Sequence, residues 1–385
     1  YKRIRHSLRL ARFERTKRNI YSRKNQFTQF VESVKPAPQI LTKLPSYYLH
    51  LYTGRLLSVK QSSTRKGAEL DMALKALNRW KSGETGALLI TGDPGMGKSH
   101  FVEQVLDSML GRNVIRVEPP AKGYSPGTSL LRTMALSTGY SGSFAEISRK
   151  LPGQSVFILY DLEAWWLRTQ GGANHLEKLI GVIEKYGDKH LFILSVNVHA
   201  YNIMRQISRL DTVLLESILI PPMDSETLSE LIVNRNRFSG IKIKSDINSD
   251  EKITNRELRK VIKSVVSFAH GNVSFALNAW LRTVSDVQDN TIEVQPLTKV
   301  DVPDSLPHSW AMLLSHIVFH KKLTFSHVEQ LFRYHDIKHI QSVIKELERS
   351  GVIIKDAVGA YGVEPFVLPY ILEMLKAQNY LIRFE

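Results

Sequence analysis

No feature of the chain narrows its fold more than the eight residues Gly92-Asp93-Pro94-Gly95-Met96-Gly97-Lys98-Ser99, which fit the pattern GxxxxGK[ST]. The apolar run Ala87–Thr91 enters this loop as a predicted strand, and His100–Leu110 leaves it as a predicted helix. In that setting the glycines let the backbone curl so that successive N–H groups face phosphate oxygens, and the helix N-terminus adds partial positive charge. Lys98 is placed to bridge β- and γ-phosphates, and the Ser99 hydroxyl to ligate a metal. Gly92 to His100 is therefore the expected binding segment, with ATP or a related nucleoside triphosphate plus Mg2+ as its ligand.

The remaining periodicity predicts what surrounds the loop. Val114–Val117, Val156–Tyr160, Leu191–Val196 and Val213–Ile220 read as further strands, and unbroken apolar runs are the mark of strands buried on both faces. Helices are expected at Thr64–Trp80, Thr128–Ser137, Phe144–Leu151 and His175–Lys185. Strands alternating with helices imply an α/β domain with a parallel sheet over residues 63–222. Beyond it, Ser225–Phe238, Asn255–Ala269 and Asn272–Thr283 predict a helical lid over residues 223–286, and polar, proline-containing residues 287–307 a linker. Trp310–His320, Phe325–Tyr334 and Asp336–Ser350, followed by a hairpin around Val358-Gly359 and a last helix at Pro369–Gln378, give residues 308–385 the order of a winged helix-turn-helix.

Upstream, Pro36, Pro38 and Pro45 suggest an irregular connector from Asn25 to Ser62. Residues Tyr1–Lys24 hold ten Lys/Arg against Glu14 alone, so this arm carries +9 of the net +15. Ile4, Leu8 and Ala11 fall on one face of a helix. Such an arm fits nucleic-acid phosphates, an anionic membrane surface, or simple packing on the body, and its composition does not choose among them. The chain has no Cys, which excludes disulfides, thiolate zinc sites and cysteine nucleophiles and fits a reducing, cytoplasmic setting. No apolar run approaches the roughly 18–20 residues of a membrane span. A start at Tyr1 reads as a segment of a longer protein, with any membrane tether lying upstream.

A triphosphate site needs an acid at a neighbouring strand end. Asp161 is the candidate metal partner and Glu163 the candidate base for the attacking water, unless Tyr160 holds the metal-facing position and Asp161 is the base. Asn197, ending the strand Leu191–Val196, is a candidate to orient that water. Arg205 and Arg209, near the end of the following helix, are candidates to reach a neighbouring subunit's γ-phosphate.

In this order of parts the chain resembles the AAA+ superfamily over residues 64–375, most of all the branch of origin-recognition initiators, transposition regulators and STAND signalling NTPases. The resemblance implies Walker A at Gly92–Ser99, Walker B at Asp161 and Glu163, sensor 1 at Asn197, a helical lid and a winged helix. It departs from the pattern at Asp161-Leu162-Glu163, where two adjacent acids are usual, and at Ser274 in His270-Gly271-Asn272-Val273-Ser274, where the family often has arginine. Slow hydrolysis and a nucleotide-held switch follow from those departures. Two functions stay open: an oligomeric ATPase that assembles on DNA, or a signalling scaffold whose winged helix docks a protein. The helix Asp336–Ser350 carries Lys338, His339, Gln341, Lys345 and Arg349 but also Glu346 and Glu348, so its face does not decide between them.

Overall fold

The computed structural model describes residues 26–53, 67–109, 111–124, 130–244 and 255–382. The basic arm therefore lies outside the described residues. The stretch after it is not irregular: α1 covers 26–34, followed by α2 (Pro38–Lys43) and α3 (Ser46–Thr53). Proline did not prevent these helices because Pro38 sits in the first turn of α2, where no intrahelical N–H is needed. Phe27, Phe30, Val31 and Val34 recur at helical spacing on α1 and are all buried.

α4 (Ala68–Lys81) leads into the central sheet. Its strands are β1 (Ala87–Gly92), β2 (Val114–Val117), β3 (Val156–Leu159), β4 (Leu191–Asn197) and β5 (Leu214–Leu219), in the spatial order β2-β3-β4-β1-β5. All neighbouring pairs are parallel, with Gly92 of β1 level with Asn197 of β4. The intervening helices are α5 (Lys98–Asp107), α6 (Leu130–Ser137), α7 (Phe144–Lys150), α8 (Asn174–Tyr186) and α9 (Val198–Ile207). Alternation along the strands sends side chains into two cores. Leu89, Phe157, Leu159, Phe192 and Leu194 face one, while Leu88, Ile90, Val156, Ile158 and Ile193 face the other. Burial on both faces explains the continuous apolar runs. Parallel pairing brings the C-terminal ends of β1, β3 and β4 together at one edge, the usual ligand position in such sheets.

The lid follows as α10 (Ser225–Ser239), β6 (Lys242–Lys244), α11 (Asn255–Ala269) and α12 (Val273–Thr283). The segment expected to be a linker begins instead with a hairpin, β7 (Val284–Gln288) and β8 (Thr291–Val294), which β6 joins to make a three-stranded sheet. Asp289, at φ 51°, turns that hairpin, and Asp-Asn is a pair that tolerates the left-handed region. Val287 and Ile292 are buried against the lid core. The polar residues around them hid a strand pair with only one apolar face.

The C-terminal unit is α13 (His308–His320), β9 (Leu323–Thr324), α14 (Phe325–Leu331), α15 (Ile337–Arg349), β10 (Ile353–Lys355), β11 (Ala360–Val363) and α16 (Leu368–Ala377). Its antiparallel sheet runs β10-β11-β9, which makes it a winged helix-turn-helix. β9 is two residues long and α14 ends at Leu331, so the second helix is shorter than its sequence suggests. The core of this unit includes α1: Phe27 packs on Trp310 at 5.0 Å between ring centroids, and Phe30 on Tyr370 at 5.1 Å.

Candidate functional site

β1 delivers its chain directly into the glycine-rich loop, and α5 begins at Lys98. Gly95 and Gly97 hold φ values of 87° and 91°, the left-handed turns that aim loop N–H groups inward. A side chain at Gly95 would meet Asn272 Oδ1 at 2.5 Å and Ser274 Cβ at 2.9 Å, so the lid lies directly on the loop. Two hydrogen bonds fix it there. Asn272 Nδ2 donates to the Pro94 carbonyl at 2.8 Å, and the Ser274 N–H donates to the Gly95 carbonyl at 3.0 Å. Asn272 also caps α12. Ser274 thus anchors the loop through its backbone, a role that needs no arginine.

The Lys98 ammonium donates to the carbonyls of Gly92 (3.0 Å) and Asp93 (3.1 Å). Burial lowers its pKa, while the charges of Glu163 and Asp161 oppose that shift. The three groups therefore share one electrostatic neighbourhood at the ends of β1 and β3. Glu163 lies in a 3-10 turn, Leu162–Trp165, and is 3% exposed. Burial, and then the nearby Asp161 charge, raise its pKa, with Lys98 pulling the other way. A carboxyl held up by its surroundings is suited to accept a proton. Asp161 precedes it at φ 50°. Tyr160 faces elsewhere: its hydroxyl donates to Glu103 Oε1 at 2.5 Å, and Glu103 is paired with Arg116.

Asn197 meets Glu163 through its backbone N–H, 3.2 Å from Oε2. Its side-chain amide is engaged at both ends. Oδ1 caps α9 by accepting from the Ala200 N–H, and Nδ2 donates to the Val318 carbonyl of the winged helix at 3.1 Å. Arg205 and Arg209 are not brought to this site. Arg205 pairs with Asp211 at 3.1 Å, and Arg209, 65% exposed, lies 3.7 Å from Glu184. Two lysines far away in sequence are brought to it. Lys321, just past α13, pairs with Asp161, and Lys376 of α16 pairs with Asp93 at 3.0 Å. His199 Nε2 approaches the other Asp93 oxygen at 3.0 Å. Nothing in the local sequence marks either lysine, because each depends on how the last unit folds over the sheet.

The residues present fit a magnesium–nucleotide ligand. The left-handed glycines form a backbone cradle, Ser99 is exposed at the start of α5, and Ser99 and Asp161 supply the hard oxygen donors that magnesium takes. Fold and site together define a parallel α/β unit whose glycine-rich loop lies between β1 and α5, followed by a lid and a C-terminal winged helix.

No protein-family model matches the chain, and no curated protein is similar to it in sequence. Among solved structures, it is similar to the ORC2 protein of Aeropyrum pernix with ADPNP and ADP, at 13% identity and a TM-score of 0.47, covering 86% of this chain and 98% of that one. It is also similar to the ORC1 protein of Aeropyrum pernix in complex with DNA, at 13% identity and a TM-score of 0.45, covering 86% and 96%. Cdc6p of Pyrobaculum aerophilum is a third, at 11% identity and a TM-score of 0.40, covering 85% and 98%. Among the described residues no helix is long and apolar enough to cross a membrane.

Proposed function

We propose that this chain is a magnesium-dependent, ATP-binding switch of the initiator branch of AAA+ proteins, hydrolysing slowly and assembling on DNA. The observation that carries the reading is the loop between β1 and α5, with Gly95 and Gly97 in left-handed turns and Lys98 opening the helix, near enough to Glu163 and Asp161 for their charges to act on it. Lys98 and the loop N–H groups would hold the phosphates, and Ser99 and Asp161 would hold the metal. Magnesium held there would supply positive charge against the phosphate oxygens. Glu163 takes the proton of the attacking water. Slow turnover follows from Asn197, whose amide is committed to α9 and Val318, and from a lid without a sensor arginine.

DNA as partner is supported by α15. Lys338, His339, Gln341, Lys345 and Arg349 are exposed, while Ile340, Val343, Ile344 and Leu347 are buried. Of its two acids, Glu346 turns toward Trp310 Nε1 at 3.4 Å, which leaves the outer face more basic than the sequence suggests. The arm at Tyr1–Lys24 supplies further phosphate contacts. Arg209, weakly paired and exposed, remains the candidate to reach a second copy's nucleotide in a homo-oligomer.

Phosphate release and nucleotide binding by two variants test the chemistry. Glu163→Gln should keep binding and lose turnover by roughly 10²–10⁴-fold, as general-base removal does. Asp161→Ala should weaken magnesium-dependent binding. Parent-rate hydrolysis by Glu163→Gln, with Asp161→Asn inactive, would transfer the base to Asp161.

A further inference from the structure

Among the described residues, polar contacts join the winged helix to the C-terminal end of the sheet, and three of them use side chains of the candidate site. Val318 O accepts from Asn197, Lys376 pairs with Asp93, and Lys321 pairs with Asp161. Apolar packing surrounds them. Trp166, which follows the Asp161–Trp165 turn, lies 4.9 Å from the His320 ring, and Leu167 enters the winged-helix core. Lys321 reaches Asp161 from an unfavourable backbone, φ 66° and ψ −43°, and Asp161 meets it at φ 50°. Non-glycine residues hold such conformations only where their surroundings impose them, and they gather at ligand clamps and switches.

We propose that Lys321 is a competitor of the metal: docked, its ammonium is paired with the Asp161 carboxylate, so metal binding and winged-helix docking compete for one carboxylate. This rests on the reading of Gly92–Ser99 and Asp161 as a magnesium–nucleotide site. The charges argue for exclusion rather than sharing. A divalent ion on Asp161 would face Lys321 at contact distance, with Lys98 already close by, and like charges at that range in a half-buried site repel strongly. Lys321 already adds to the lowering of the Lys98 pKa that burial begins. Coupling is reciprocal, so what loosens docking must tighten the metal and what binds the metal must loosen docking. Lys376 on Asp93 lies outside this competition and leaves the last helix near the loop as a second tether.

The test uses the full chain with a non-hydrolysable ATP analogue. Mn2+ serves as a spectroscopic probe of metal affinity, and spin labels at Lys178→Cys and Lys345→Cys report docking; the chain has no native cysteine to interfere. Lys321→Met should bind Mn2+ roughly tenfold more tightly than the parent, within the usual range of coupling between sites. Its label distances should already be broadened without metal. Lys321→Asn, a second neutral variant and too short to reach Asp161, should behave alike, and Lys321→Arg should restore the parent values. In the parent, adding metal with the analogue should broaden the label distances. Parent-like Mn2+ affinity in both neutral variants, with the analogue bound, overturns the competition and leaves the nucleotide site standing. A parent that binds no analogue at all overturns the site and the competition together.

Discussion

Lys376, near the end of α16, holds its ammonium 3.0 Å from the carboxylate of Asp93 in the phosphate loop, across 283 residues of sequence. The pair has a measurable acid–base consequence. Burial raises the Asp93 pKa, but the hydrogen bond and charge of His199 and the charge of Lys376 outweigh it and bring it from 3.8 to about 2. The folded state therefore binds this proton less readily than the unfolded chain. Its contribution is present above about pH 4 and is lost as pH falls toward 2, and a shift of this size corresponds to about 2 kcal/mol. Urea unfolding of the parent and Asp93→Asn should differ by about that amount at pH 6 and converge as pH falls below 4. A difference independent of pH would mean that Asp93 acts only through its shape.

Gly95 sits where loop and lid touch. A Cβ there combines a φ of 87° with a 2.5 Å approach to Asn272 Oδ1, so Gly95→Ala must disturb the Asn272 and Ser274 contacts or twist the loop. Strain of this kind costs about 1–3 kcal/mol. Denaturant unfolding should show a loss in that range together with weaker analogue binding. Parent-like stability would show that the lid moves freely over the loop.

The DNA reading makes a salt-dependent prediction. With about six phosphate contacts, the basic arm should by itself contribute roughly −5 to the log–log slope of DNA affinity against salt. Deleting residues Tyr1–Lys24 should flatten most of it and leave analogue binding unchanged. Lys338→Ala and Lys345→Ala should each make the remaining slope shallower by about 0.9. A slope unaffected by all three changes would exclude both the arm and α15 as DNA contacts.

Much of the central unit was legible because its signals are local. A strand buried on both faces reads as an unbroken apolar run, and Gly92–Ser99 states its own turn and helix start. The connector looks irregular because Pro36, Pro38 and Pro45 interrupt it, while the helical signal lies in the Phe27, Phe30, Val31 and Val34 stripe. The β7–β8 hairpin was missed because it exposes one polar face. Lys321 and Lys376 were not legible at all, since their meaning lies in Asp161 and Asp93, more than a hundred residues away. Asn197 was picked out by its place at the end of β4, but its bond to Val318 depends on the same distant packing.

The central claim is that Lys98 binds the phosphates of a magnesium nucleotide. Isothermal titration with a non-hydrolysable ATP analogue, with and without magnesium, tests it on the parent and Lys98→Ala, with melting curves confirming that both are folded. Each charge-assisted hydrogen bond contributes about 1.5–3 kcal/mol, so the variant should lose roughly two orders of magnitude in affinity or more. Binding of equal strength in the two proteins would contradict the account.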